Sequence, residues 1–214
     1  MSIFRTIEQI DGNLLIGIQH ALNADWLTPI MKAITFCGEA GWLAILFCAV
    51  LVVIKKTRKI GWICTASIAF TFILCNLILK PTVDRLRPWE VFDGVMMLVA
   101  DPGDASFPSG HAANNTAVAF AFWLSTRPEK ALLHSEGLNM YRNGWLGSER
   151  DRIMLHKFSY VTLVFALLIC VSRLYLGMHF PTDVLSAILI ALIITLLVYR
   201  INLKFVSKSG IING

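Results

Sequence analysis

Runs of apolar residues divide the chain into segments that are long enough to cross a membrane. One helical crossing needs about 20 apolar residues. Four runs come close to that length, at residues 30–54, 60–79, 158–176 and 184–199. A fifth run, at 112–124, is shorter and has to extend at one end or the other, and glycines at 38–41 predict a kink in the first run. The pattern predicts an all-α, polytopic transmembrane helix bundle of about five to six spans.

The first 22 residues follow a different pattern. Apolar residues recur there at helical spacing, whereas Arg5, Glu8, Asp11 and Gln19 occupy the opposite side of the helix. This arrangement predicts an N-terminal amphipathic helix that lies in the membrane interface. The alternative is a sixth span, and the free-energy cost of placing charged side chains in the bilayer argues against it.

The basic residues indicate which way the spans face. Most of the 19 Lys and Arg residues lie in three segments, at 55–59, 127–157 and 200–208. With five spans, these three segments fall on the same side of the membrane. Cytoplasmic segments of membrane proteins are rich in Lys and Arg, so we assign this side to the cytoplasm.

Composition narrows the class of protein further. The chain has 214 residues, of which 56% are hydrophobic and only 15% are charged, whereas soluble domains carry about 25% charged residues. An ordinary soluble enzyme and a disordered chain are therefore excluded. The net charge of +5 is explained by the cytoplasmic segments, so we expect membrane lipids and no nucleic acid as partners. We predict one membrane-embedded domain over residues 1–214.

Three segments on the side away from the cytoplasm carry unusual chemistry. Residues 80–88 read Lys-Pro-Thr-Val-Asp-Arg-Leu-Arg-Pro, residues 107–111 read Phe-Pro-Ser-Gly-His, and residues 172–183 contain an arginine, a histidine and an aspartate. In a five-span bundle these segments lie at the same membrane level. We therefore expect them to meet, although up to about 100 residues separate them in the sequence.

The residue types in these segments point to a phosphate ligand. Lys80, Arg87 and Arg173 supply three positive charges, and the planar guanidinium group suits phosphate oxygens. Ser109 and Gly110 lie at a helix start, where free backbone N–H groups and the helix dipole favour an anion.

Two histidines add the elements of catalysis. His179 precedes Asp183 by four residues, and a carboxylate bonded to one imidazole nitrogen would fix the tautomer and leave the other nitrogen as a nucleophile. His111 would then be free to protonate a leaving oxygen.

Simpler interpretations exist for several of these residues. Thr182 or Asp183 could cap the last span, and Ser172 could only bond a neighbouring backbone group. Arg85, beside Asp84, is expected to be an exposed charge at the rim of the site, because exposed charges cost little.

Taken in order, the patterns K-x6-R-P, P-S-G-H and S-R-x5-H-x3-D resemble the type 2 phosphatidic acid phosphatase (PAP2) superfamily, over about residues 60–200. This resemblance implies that His179 forms a phosphohistidine, that Asp183 orients it, and that His111 protonates the leaving group and then activates water. It implies that the phosphate is held by Lys80, Arg87, Ser109, the Gly110 backbone and Arg173. It also implies that no metal and no cofactor are required.

The resemblance extends to substrate and location as expectations. It implies a membrane lipid phosphatase in a bacterial inner (plasma) membrane, with the site on the periplasmic or extracellular side and a lipid phosphate as substrate. Residues 87–111 resemble those of undecaprenyl diphosphate phosphatases and lipid A 1-phosphatases, and we favour undecaprenyl diphosphate. A phosphatidylglycerophosphate phosphatase and a phosphotransferase that uses the same intermediate are alternatives. From another class, an anion or lipid transporter could use the same cluster of cations.

Overall fold

The computed structural model describes residues 3–127 and 149–208, and all regular structure within these ranges is helical. The helices in chain order are α1 (Ile3–Leu22), α2 (Leu27–Cys37), α3 (Trp42–Val53), α4 (Arg58–Phe72), α5 (Lys80–Val83), α6 (Pro88–Val91), α7 (Gly110–Thr126), α8 (Glu149–Tyr175) and α9 (Pro181–Lys208). A 3-10 turn, Glu39–Gly41, joins α2 to α3, and a π-helical segment, Ile73–Leu79, joins α4 to α5. The predicted all-α architecture is confirmed. Most of the predicted cytoplasmic loop at 127–157 lies outside the described residues.

Several helical stretches are long and apolar enough to cross a membrane. They are Arg58–Val91, Arg150–Tyr175 and Pro181–Lys204, and the pair α2 and α3, bent by 47°, adds a fourth crossing if it is counted as one broken span. The break lies where glycines predict it. Gly41 has a φ angle of 69°, in the left-handed region that glycine enters without steric cost, and α3 begins at the next residue.

Helix α7 lies at the centre of the bundle. It packs against α4, α8 and α9, and 14 of its 17 residues are buried. Its length of about 25 Å is close to the thickness of the hydrocarbon core. The short apolar run at 112–124 extends at both ends, to Gly110 and to Thr126, because neighbouring helices rather than lipid surround it.

The two ends of the bundle have different character. At one end, Lys56 Nζ lies 3.5 Å from Asp151 Oδ2, so the basic link after α3 meets the start of α8. At the other end lie the loops at 92–109 and 176–180, which are joined by a backbone hydrogen bond from Leu98 to Leu176. We call this second end the site end, because the three motifs meet there.

Helix α1 lies across the site end with its polar side turned inward. The side chains of Asp11 and Gln19 are buried, whereas Ile10 and Leu14 are exposed. Gln19 Nε2 donates to the carbonyl oxygen of Met96 at 2.8 Å, within the loop at 92–109. The amphipathic helix is confirmed, and its polar side meets polar groups of the protein. Although α1 is 20 residues long, it is not among the described helices that are apolar enough to span a membrane.

Candidate active site

A cavity of about 190 Å³ at the site end brings the three motifs together. The predicted site residues that line it are Lys80, Arg87, Gly110, His111, Arg173 and His179. The other two, Ser109 and Asp183, are fully buried and are connected through a backbone hydrogen bond from Ser109 N to Asp183 O. The structure therefore brings all eight predicted residues into one region.

The imidazole of His179 is held in a defined orientation. Its side chain is almost fully buried, and its Nδ1 lies 2.7 Å from the backbone carbonyl oxygen of Ser106. A carbonyl oxygen can only accept a hydrogen bond, so Nδ1 carries the proton and Nε2 has the free electron pair. Nε2 lies 3.4 Å from Arg87 Nη1, and His179 lines the cavity together with Arg87.

Asp183 supports this arrangement differently from the expectation. Its Oδ2 lies 3.9 Å from His179 Nδ1, which is too long for a hydrogen bond, and instead accepts from Ser106 Oγ at 2.6 Å and from the Phe180 backbone at 2.9 Å. The expected direct bond between carboxylate and imidazole is therefore replaced by one through Ser106. Ser106 donates its hydroxyl to Asp183 and offers its carbonyl oxygen to His179.

Arg85 is not a rim charge. Its side chain is only 18% exposed, and its guanidinium group donates to Asp183 Oδ1 at 2.6 Å and to Asp11 Oδ2 at 2.8 Å. It also lies over the ring of Phe180, at 3.9 Å from the centroid. Arg85 thus connects Asp183 to Asp11 on α1 through hydrogen bonds. The rim interpretation fails because the sequence does not reveal that two buried carboxylates flank this arginine.

Asp11 completes a closed hydrogen-bond network at the start of α9. Its Oδ1 accepts from the Thr182 backbone N–H at 3.0 Å, and its Oδ2 accepts from the Thr182 hydroxyl as well as from Arg85. Thr182 in turn accepts a hydrogen bond from Arg85. A carboxylate on α1 therefore occupies the helix N-terminus that carries Asp183.

The three predicted cations are restrained by different partners. Arg87 donates to the carbonyl oxygen of Met178 at 2.6 Å and to that of Asp104 at 2.9 Å, and forms an ion pair with the Asp104 carboxylate. Lys80 also pairs with Asp104. Arg173 Nη1 donates to Thr35 Oγ1 at 2.7 Å, and its buried Nε has no hydrogen-bond partner among the described residues. One carboxylate, Asp104, thus faces two of the cations that a phosphate would use.

Ser109 and Gly110 form the start of α7, as predicted. Ser109 is the N-cap residue, and its hydroxyl accepts a long hydrogen bond from the Ala112 N–H. Gly110 lines the cavity, where a Cβ atom would lie 2.9 Å from Asn76 Nδ2. Ser172 does not line the cavity and bonds the Ile169 carbonyl oxygen at 2.7 Å, in agreement with its simpler interpretation.

Burial and neighbouring charges perturb two groups in the loops of the site. The pKa of His179 is lowered to about 3, mainly by burial, while the Asp183 carboxylate opposes this shift and the charges of Arg173 and Arg87 add to it. The neutral imidazole is therefore the dominant form at physiological pH. For Asp104, burial alone would raise the pKa, but the hydrogen bonds and charges of Lys80 and Arg87 outweigh it, so the pKa is lowered.

Sequence reasoning missed Asp11, Asp104 and Ser106. Asp104 and Ser106 lie three residues and one residue before Phe107, and their position just before a motif is the signal that could have suggested them. Asp11 carries no comparable signal, because it is more than 60 residues from the first motif. The carbonyl oxygen that fixes His179 belongs to the backbone, which every residue type provides.

A larger apolar cavity of about 410 Å³ lies between α3, α7 and α8. Leu43, Phe47, Val118 and Phe165 are among its lining residues, and its lining also includes Asn115. The neighbouring residue, Asn114, lines the cavity that contains His179. The two cavities therefore have consecutive lining residues on α7.

Comparison with known proteins gives consistent matches. The family model described as the PAP2 superfamily matches residues 60–207. The undecaprenyl-diphosphatase of Sulfolobus acidocaldarius is 27% identical over 92% of this chain and 84% of its own length. The lipid A 4'-phosphatase of Bacteroides thetaiotaomicron is 25% identical over 86% of this chain and 73% of its own length.

A solved structure shares the fold. The transmembrane PAP2-type phosphatidylglycerolphosphate phosphatase from Bacillus subtilis superposes with a TM-score of 0.65 at 24% identity. The match covers 95% of this chain and 88% of that structure.

Proposed function

The chain belongs to the PAP2 superfamily and is a membrane phosphatase, and from this premise we propose that it hydrolyses undecaprenyl diphosphate to undecaprenyl phosphate. The observation that carries the proposal is the environment of His179. A buried, neutral imidazole has its Nδ1 proton bonded to the Ser106 carbonyl oxygen and its Nε2 beside Arg87, and it shares a cavity with Lys80 and Arg173. Such a group can attack a phosphoryl group that the three cations hold.

In the first step, Nε2 of His179 forms a bond to the terminal phosphorus atom, and the bond from phosphorus to the leaving oxygen breaks. His111 gives a proton to that oxygen, so the lipid leaves as undecaprenyl phosphate. The charges of Lys80, Arg87 and Arg173 and the N–H group of Gly110 stabilise the negative oxygens of the transferring group. Asp183 orients His179 through Ser106.

In the second step, a water molecule gives a proton to His111 and attacks the phosphorus atom of the phosphohistidine. The bond from nitrogen to phosphorus breaks, inorganic phosphate is released, and the neutral imidazole is restored. Every group in this scheme lines the site cavity or is buried beside it. The residues of the chain account for both proton transfers, so the scheme requires no metal and no cofactor.

Two features support a lipid diphosphate as substrate. A relative named as an undecaprenyl-diphosphatase aligns with nearly the whole chain. The apolar cavity between α3, α7 and α8 and the polar site have consecutive lining residues on α7. The apolar cavity is lined by Leu43, Phe47 and Val118, which suits a hydrocarbon chain. Lipid A is a second substrate to test, because another relative is named as a lipid A 4'-phosphatase.

We also propose that the site faces the outside of a bacterial plasma membrane. The end of the bundle opposite the site carries Lys56 and Arg58, and the beginning of α8 meets it there. The positive-inside rule assigns that end to the cytoplasm. Because α1 contributes Asp11 to the network around Asp183, we propose that residues 1–214 form one domain.

The test is phosphate release by the purified protein in detergent, without an acceptor, from undecaprenyl diphosphate, lipid A, phosphatidylglycerophosphate and phosphatidic acid. We expect the highest kcat/KM with undecaprenyl diphosphate. His179→Ala should abolish release, whereas His156→Ala, at the opposite end of the bundle, should leave it unchanged. Activity that survives in His179→Ala would contradict the mechanism, and release that requires an added hydroxyl acceptor would identify a phosphotransferase.

A further inference from the structure

Two asparagines line the site cavity and have no part in the proposed mechanism. Asn76 and Asn114 both contribute to its wall, together with His111 and His179. The Oδ1 atom of each is buried and has no hydrogen-bond partner within the described part of the chain. The Asn114 residue is only 5% exposed. A buried amide oxygen without a partner is rare in folded proteins, and a bound ligand is one of its common explanations.

Both asparagines lie on the side of the cavity that faces the middle of the bundle. Asn114 follows Gly110 by four residues on α7, and Asn76 precedes Lys80 by four residues in the π-helical segment. Each therefore lies about one helical turn further from the site end than its motif residue. Segments of π-helix occur frequently at functional sites.

Gly110 provides the space that the Asn76 carboxamide occupies, because a Cβ atom there would lie only 2.9 Å from Asn76 Nδ2. Asn114 Nδ2 lies beside Gly41, where a Cβ atom would be at 3.8 Å, an ordinary contact distance. Gly38, Gly41 and Phe72 complete this part of the wall and carry no charge. The inner part of the cavity therefore offers neutral hydrogen-bonding groups, whereas Lys80 and Arg87 offer positive charge.

The substrate has to pass this inner part. When His179 attacks the phosphorus atom, the leaving oxygen stays on the lipid. The lipid must continue from that oxygen toward the hydrocarbon core. In phosphoryl transfer the attacking and leaving atoms lie roughly in line. His111, which protonates the leaving oxygen in the proposed mechanism, precedes Asn114 by three residues on α7, so the two side chains lie on one face of the helix. The first atoms of the lipid beyond the leaving oxygen are therefore expected beside Asn114 and Asn76, which line the same cavity.

We propose that Asn76 and Asn114 form a subsite for polar oxygens on the leaving group, next to the bond that breaks. This inference rests on the proposed function and specifies its substrate class. The unpaired Oδ1 atoms can accept a hydrogen bond from a hydroxyl, and the Nδ2 groups of the same carboxamides can donate to a phosphate oxygen. Two sources therefore fit: the hydroxyls of a glycerol or sugar, which suit both groups, or the inner phosphate of a lipid diphosphate, which suits the Nδ2 groups. A phosphate ester of a plain hydrocarbon alcohol would leave both carboxamides unpaired.

Matched substrates test this subsite. Farnesyl diphosphate and farnesyl phosphate share one hydrocarbon chain, and phosphatidylglycerophosphate and phosphatidic acid share one diacylglycerol. We expect Asn114→Leu and Asn76→Leu each to lower kcat/KM at least tenfold for one or both polar leaving groups, and less than threefold for farnesyl phosphate. A loss confined to the diphosphate identifies the inner phosphate as the ligand, and a loss confined to phosphatidylglycerophosphate identifies hydroxyls.

Asn202 provides a matched control. Its Oδ1 is also buried without a partner, but it lies near the end of α9, away from the cavity. Asn202→Leu should change kcat/KM less than twofold for all four substrates. Equal losses in Asn114→Leu for farnesyl phosphate and farnesyl diphosphate, or no loss for any substrate, would overturn the subsite.

A binding measurement separates this inference from the proposed function. In His179→Ala protein, calorimetric titrations with farnesyl diphosphate and with phosphatidylglycerophosphate should show at least tenfold weaker binding of one or both ligands when Asn114→Leu is added. The same addition should leave the binding of farnesyl phosphate within threefold. If the wild-type protein released no phosphate from any substrate, the proposed function would fail, and this titration would still decide for or against the subsite.

Discussion

Replacing Asp11 by asparagine tests whether α1 controls the geometry of His179. The Asp11 carboxylate is 2% exposed and accepts hydrogen bonds from the Thr182 backbone, the Thr182 hydroxyl and Arg85. Asparagine has nearly the same shape as aspartate, but an NH2 group replaces one acceptor oxygen. That NH2 group would face a hydrogen-bond donor of Thr182 or Arg85. It also leaves Arg85 with Asp183 as its one remaining carboxylate partner among the described residues.

The expected loss of stability follows from these contacts. A hydrogen bond to a charged group contributes about 1.5–3 kcal/mol, and breaking a buried ion pair costs about 3–5 kcal/mol. Because Arg85 retains Asp183 and is partly exposed, we expect the free energy of unfolding to fall by about 3 kcal/mol. For a chain of this size that corresponds to a decrease in Tm of roughly 10 °C.

The expected effect on catalysis is on kcat rather than on KM. Asp11 reaches the imidazole indirectly, through Thr182 and Arg85 to Asp183 and then Ser106. Among the described contacts it has none with the three cations that hold phosphate in the proposed mechanism. A displacement of catalytic groups by about 1 Å can cost 100-fold in rate. Since the Ser106 carbonyl oxygen still holds Nδ1, we expect a smaller decrease in kcat, of about tenfold, with KM within a factor of two.

The assay combines steady-state kinetics with thermal unfolding in detergent. Glu8→Gln is the matched control, because it removes a carboxylate one turn earlier on the same helix, and it should resemble the wild type in both measurements. Asp11→Asn and Arg85→Ala should be non-additive in a double-mutant cycle, because both act through one network. Wild-type kcat in Asp11→Asn, or an equal loss in Glu8→Gln, would refute the reasoning.

Three further predictions concern single groups. Ser106→Ala removes the hydroxyl that donates to Asp183 but keeps the carbonyl oxygen, so kcat should fall about tenfold with KM unchanged; an unchanged kcat would show that the hydroxyl has no role. Asp104→Asn removes a half-exposed carboxylate that competes with phosphate for Arg87, so the inhibition constant of inorganic phosphate should fall about fivefold; weaker inhibition would contradict this. The pKa of His179 is lowered from 6.5 to about 3 on folding, so below pH 6.5 the unfolded chain binds a proton that the folded chain does not. The free energy of unfolding should therefore fall by about 2 kcal/mol when the pH is lowered from 7 to 5. A His179→Asn protein should lack that share of the pH dependence.

Periodicity and spacing were sufficient to predict the long helices and the meeting of the motifs, but not the short helices α5 and α6 or the π-helical segment. The apolar runs mark the spans, and the glycines at 38 and 41 mark the break between α2 and α3. The three motifs converge because each lies at the end of a span, and the bilayer places such ends at one level. The helical pattern and the geometry of the membrane were therefore enough to predict that Lys80, His111 and His179 lie close together, and all three line one cavity.

The contacts inside the site could not be predicted in the same way. His179 is fixed by a backbone carbonyl oxygen, which has no signature in the side-chain sequence. Arg85 and Asp183 are two of many possible charge pairs, and only the fold shows that Asp11 and Thr182 complete their network. The ion pairs of Asp104 with Lys80 and Arg87 could not be predicted, because loop residues have no periodicity that tells which way a side chain points.

The orientation of α1 shows what amphipathic periodicity leaves open. The pattern separates a polar side from an apolar side, but it does not tell whether water or polar groups of the protein meet the polar side. In this protein Asp11 and Gln19 have hydrogen-bond partners at the site end, while the side chains of Ile10 and Leu14 are exposed. If α1 lies in the interface as predicted, lipid covers this apolar side and helps to keep Asp11 against Arg85. We therefore expect the membrane to stabilise the geometry of the site as well as the spans that carry it.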